Sequence, residues 1–63
     1  MKDVFKNEWV LECKPFWNDN KQLREYLLDL EFDYNLCKDM EFALGIKDAL
    51  NIIQERINNN ENN

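Results

Sequence analysis

Histidine is missing from this sequence, and with it the commonest metal ligand and the commonest general base near neutral pH. Glycine and proline occur once each, at Gly45 and Pro15, so the chain has few places where an element must break or the backbone can take an unusual turn. Cysteine occurs twice, at Cys13 and Cys37, with no CxxC pair. That is too little for the disulfide framework of a secreted mini-domain, and two thiols alone do not make a zinc site. Both cysteines are therefore read as reduced, small apolar side chains. No apolar run approaches the roughly 20 residues that a membrane-spanning helix needs. Met1-Lys2-Asp3-Val4-Phe5-Lys6-Asn7-Glu8 carries charges where a signal peptide would have its apolar stretch, which makes a cytoplasmic chain the expectation. Cations are also scarce. Eight Lys and Arg against 13 Asp and Glu leave a formal net charge of −5, which repels phosphate backbones and anionic lipid heads and sets nucleic acid and membrane aside as direct partners.

What remains is a chain of 63 residues, 44% of them apolar, enough for one small domain over residues 1–58 and a polar tail over 59–63. A single core of this size rarely leaves more than roughly 3–5 kcal/mol of net stability, so a second copy or a partner is expected to help it. Periodicity is clearest in the C-terminal half. Ala43, Ile46, Leu50, Ile53 and Ile57 recur at alternating steps of three and four residues, the seam of one helix face, and are expected to form a core or an oligomer interface. Glu41, Asp48 and Glu55 fall on the opposite side. The spacing predicts a helix over about 36–58 with Asn35 as its cap, and the Asn-rich tail over 59–63 has nothing apolar to bury and is expected to be disordered. Gly45, four residues before Ala49, leaves a flat spot on this helix. Either a bulky side chain or a neighbouring backbone approaches there, or the glycine lies on a surface that needs no side chain.

An earlier helix is predicted over about 20–31. Asp19 caps it, with Gln22 placed for a capping box, and Leu23, Tyr26, Leu27 and Leu30 share a face. From Leu28 to Leu36 the residues alternate apolar and polar, as a half-buried strand would, but aspartate and asparagine are poor strand formers. A helix to Glu31 followed by a short turn is the favoured reading. Before Pro15, the residues Phe5, Trp9, Leu11 and Cys13 fit a strand and Phe5, Trp9 and Cys13 fit a helix, so both stay open. The fold class expected is mostly α: a two-helix hairpin behind a short N-terminal strand or helix, forming a dimer.

Among charged groups, Glu25, Asp29 and Asp33 share one side of the chain in either conformation and form an acidic stripe suited to a basic partner surface. A calcium loop starting at Asp29 fails, because Tyr34 stands where glycine is needed and Met40 where glutamate is needed. No cofactor or metal is expected, and no catalysis, since neither cysteine has a histidine to activate it. Trp9, Phe16 and Trp17 load the N-terminal third with aromatic surface. Whichever ring stays exposed is the expected anchor for a partner, the others being core.

The stretch from Phe42 through Gly45 and Ala49 to Glu55 resembles the closing helix of short, uncharacterised helical-hairpin proteins of low-GC Gram-positive bacteria and their phages. Glu8-Trp9-Val10, followed by Arg24-Glu25-Tyr26-Leu27-Leu28, is similar to the SinI family of antirepressors, which sequester a transcription factor through two helices. Here the spacing is longer and Pro15 interrupts the first element, so no residue role is carried across. The small size, the acidic balance, the aromatic load and the missing catalytic groups together point to a regulator or inhibitor, of the kind a phage or another mobile element encodes, that occupies the surface of a host or cognate protein, including one that itself binds nucleic acid. The alternatives are a ribbon-helix-helix repressor, whose alternating polar strand positions would here be close to neutral, and a purely structural oligomer. The acidic balance predicts no binding to duplex DNA at physiological salt, because the chain has no basic stripe with which to release counterions. A gel shift with genomic fragments checks this, and nanomolar binding would favour the repressor.

Overall fold

The computed structural model describes residues 3–62. Among these residues there is no strand, and the chain is mostly helical, with one short helix and two long ones. A 3-10 turn over Val4–Lys6 leads into α1, Glu8–Glu12, and a second 3-10 turn over Lys14–Phe16 leads toward α2, Asn20–Leu36. The last helix, α3, is Met40–Glu61.

Each helix begins at a polar cap, and the caps explain where the boundaries fall. The Asn7 side chain accepts from the backbone N–H groups of Trp9 and Val10, starting α1, and Pro15 lies in the 3-10 turn that follows its end. The strand reading of this segment fails on Val10. Alternation would turn Leu11 inward, yet Leu11 is exposed while Val10, which breaks the alternation, is fully buried beside Cys13. Without that strand, the ribbon-helix-helix architecture loses its first element.

Asp19 caps α2 as predicted, accepting from the Gln22 N–H at 3.2 Å. The reciprocal half of the capping box is not made, because the Asp19 N–H donates to the Phe16 carbonyl. The helix does not stop at Glu31 but runs five residues further, to Leu36. No glycine or proline interrupts 28–36, and Tyr34, half-buried against the core, continues the inward face of Leu27 and Leu30 by another turn. Asn35 consequently lies inside α2. The true cap of α3 is Asp39, whose carboxylate accepts from the Glu41 and Phe42 N–H groups.

At its far end α3 continues past Asn58 to Glu61, where the sequence predicts an unstructured tail. Asn60 gives that last turn a reason to form: its side-chain amide donates to the Trp17 carbonyl at 3.2 Å and to Asn20 Oδ1 at 2.8 Å. Glu61 pairs with Arg24. Asn63 lies outside the described residues.

The core sits where the helices meet. Leu23, Leu27 and Leu30 enter it from α2 and Ile46, Ala49, Ile53 and Ile57 from α3, with Val10 and Cys13 closing it from the N-terminal side. Ala43 and Leu50 complete the α3 seam as partly buried neighbours. The seam therefore packs within the chain. A dimer built on it would compete with this core.

Gly45 is the point where α1 docks on α3. A Cβ there would lie 2.8 Å from Cζ3 of the Trp9 ring, and the Gly45 carbonyl accepts from Asn7 Nδ2 at 2.9 Å. Of the two roles open to this glycine, close approach of a bulky side chain is the one the structure shows. Gly45→Ala should gain about 1 kcal/mol from helix propensity in an open site. Here the clash with Trp9 should turn that gain into a loss on the order of 1 kcal/mol. In a Trp9→Leu background the gain should return. Urea unfolding of the four proteins measures this, and an equal gain in both backgrounds would show that the ring does not constrain the site.

Candidate functional site

The aromatic rings of the N-terminal third pack, partly buried, against the core. Trp9 packs edge-on against Phe42, with ring centroids 5.6 Å apart, and lies over Gly45. Trp17 meets Phe5 edge-on at 5.2 Å, and the Arg56 guanidinium lies over its indole at 5.6 Å. Arg56 is held there by its own bonds, from Nε to the Trp17 carbonyl and from a terminal nitrogen to Asn18. Phe16 faces Tyr26 at 6.0 Å. All three rings named from the sequence, Trp9, Phe16 and Trp17, are half-buried against the core. The rings left more than half exposed are Phe32 and Phe42.

The acidic stripe behaves differently. Glu25, Asp29 and Asp33 are all exposed and stand one turn apart along α2. Among the described residues the one ion pair within 4 Å joins Arg24 and Glu61, so none of the three stripe carboxylates is held in an ion pair.

Running next to that stripe is a feature hidden by the alternation of 28–36. Leu28, Phe32 and Leu36 follow each other at intervals of four residues and are 65%, 64% and 63% exposed. On a helix, the same alternation that turns Leu30 and Tyr34 inward turns these three outward. The signal was their i, i+4, i+8 spacing, set against Leu23, Leu27 and Leu30 on the other side. Met40 and Leu44, in the first turns of α3, add further exposed apolar surface. At Leu28 the row borders a groove of about 320 Å³ between α2 and α3, lined also by Arg24, Leu27, Glu31, Gln54 and Ile57. A second cleft, about 470 Å³, lies between the first 3-10 turn and α3, and Asp3, Lys6, Asp48 and Glu55 are among the residues that line it.

The thiols are placed for packing. Cys13 is fully buried, donates to the Trp9 carbonyl at 3.4 Å, and has its pKa pushed up to about 11 by desolvation first and by the charge of Glu12 second. Tyr26 donates to Glu12 at 2.8 Å, and its phenol is raised well above the usual range by burial and by that hydrogen bond. Cys37 lies half-buried in the connection between α2 and α3, its thiol donating to the Asp39 carbonyl. Among the described residues no three Cys, Asp or Glu side chains converge as metal ligands would, and no helix is long and apolar enough to cross a membrane.

No protein-family model, curated protein or solved structure matches this chain.

The two cysteines should separate cleanly in reactivity. At pH 8 iodoacetamide should add once to the native protein, at Cys37, and reach Cys13 only after unfolding, because the thiolate is the reactive form and Cys13 is both buried and held protonated. Mass spectrometry of the peptides reads the order. Early labelling of Cys13 would mean that α1 opens far more readily than its packing implies.

Proposed function

We propose that this chain is a small protein-binding regulator or inhibitor, of the kind encoded by phages and mobile elements, that acts by occupying a basic surface of a host or cognate protein. The observation that carries this reading is the outer face of α2. Three carboxylates stand there in a row, solvent-facing and with no cation within 4 Å among the described residues, on a chain whose net charge is −5. A fixed row of like charge on a helix raises the encounter rate with an oppositely charged surface and discriminates against acidic ones. The partner can itself bind nucleic acid, since such proteins present the basic face that this row complements. Catalysis has no support in the residues: the sequence holds no histidine, and burial keeps the Cys13 thiol protonated.

The scaffold is read as a helical hairpin. Contacts from Asn20 to Ile57 and Asn60, and from Arg24 to Glu61, bring the start of α2 to the end of α3 and support an antiparallel pair. Self-association would need a face other than the α3 seam, which the core already uses.

Affinity capture from producing or host cells, followed by kinetics on the recovered partner, tests the reading. Asp29→Lys combined with Asp33→Lys should slow association by about tenfold while leaving the fold intact, and raising salt should slow association more than it speeds release. If the rates are indifferent to both salt and charge reversal, the row is only a solvated surface and the reading fails.

A further inference from the structure

We propose that the outer face of α2 is a docking ridge for a basic amphipathic helix of the partner, with Leu28, Phe32 and Leu36 as its apolar anchors. This rests on the protein-binding reading above and adds to it the anchor and the chemistry of what binds. Scattered exposed leucines need no explanation in a soluble protein, but three large apolar side chains in register on one helix face do. They cover two turns, about 12 Å of helix, which is the span over which a helix in a groove places its own anchors. Leu28 stands at the edge of the groove between α2 and α3, so the ridge has a recess at one end as well as a crest.

The charges beside the row choose the occupant. Between Leu28 and Leu36 the sequence has Asp29, Glu31 and Asp33 and no lysine or arginine. Whatever covers the apolar row must therefore bring cations to its flank or leave carboxylates desolvated and unpaired. A second copy brings the same acidic row and a further net charge of −5, and so sets carboxylates against carboxylates. Nucleic acid and anionic lipid are repelled for the same reason. An extended peptide would need a sheet edge to join, and the described residues contain no strand. A helix with leucines on one face and lysines along its border meets both requirements.

The probe is a fluorescent peptide of roughly 18 residues, leucines at helical spacing and lysines elsewhere, with a glutamate-for-lysine version as control. Anisotropy gives affinity, and amide chemical shifts of the full chain give the location. The lysine peptide should bind with shifts concentrated on Leu28, Phe32, Leu36 and their neighbours, and the glutamate peptide should not. Phe32→Ala should weaken binding by about tenfold, as loss of a central anchor does, while Leu11→Ala, an exposed apolar residue on α1, should leave it unchanged. The proposal is overturned if the lysine peptide does not bind, if the glutamate peptide binds as well, or if Phe32→Ala has no effect. That last result, combined with a loss on charge reversal of Asp29 and Asp33, would leave the protein-binding reading standing and remove only the apolar anchor. Sedimentation of the chain alone completes the test: a dimer that Phe32→Ala dissolves would make a second copy the occupant and overturn the proposal.

Discussion

The contact of the Trp9 ring with Gly45 is the constraint on which the rest of the structure depends. Two helices alone give this chain a one-sided core, because a single helix pair leaves the far side of Ile46, Ala49 and Ile53 open to water. The third side comes from Val10, on a five-residue helix too short to persist by itself, and from Cys13, the residue that caps its end. That helix is held by what it touches. The indole lies where any side chain at 45 would stand, and Asn7, whose Oδ1 caps α1, uses its Nδ2 to bond the Gly45 carbonyl. One residue thus starts the helix and fixes it to α3. A glycine in the middle of a helix costs about 1 kcal/mol of propensity. The core closed by Val10 and Cys13 is what that cost secures.

Features that depend on local chemistry were legible in the sequence. Asp19 caps α2, the alternating threes and fours of Ala43 to Ile57 form the inward face of α3, and the flat spot at Gly45 is occupied. Features that depend on tertiary partners were not. The end of α2 rested on an alternation compatible with two periods, and the choice was settled by Tyr34 finding the core, which no local propensity encodes. The last turn of α3 looked like a polar tail, because the value of Asn60 lies in the Trp17 carbonyl and Asn20, some 40 residues away in sequence and adjacent in space. The N-terminal segment was ambiguous for the same reason: Val10 and Leu11 are both apolar, and only the position of the core says which one is inside.

The candidate site divides along the same line. An acidic row at helical spacing is read equally well from sequence and structure, since charges left in solvent need no partner to define them. Aromatic residues are harder to place, because the surface that would make a ring an anchor also makes it good core. Trp9, Phe16 and Trp17 went to packing, each with a ring, a cation or a backbone against it. Phe32 sat inside an apparent strand pattern and did not stand out until the helix turned it away from Leu30.

The two long helices consequently have different surfaces. α3 spends its apolar seam on the core and shows the solvent mostly polar side chains beyond Leu44, whereas α2 is apolar on two sides, one facing α3 and α1 and one exposed among the described residues. A domain with a margin of only roughly 3–5 kcal/mol gains no stability from the second face and accepts some risk of aggregation through it. The carboxylates beside that face reduce the risk, because two copies approaching through their α2 ridges bring like charges together. The same carboxylates attract a basic surface. In the reading proposed above, an apolar row flanked by acid disfavours a second copy and favours a cationic partner, so that one arrangement of side chains would supply both affinity and discrimination.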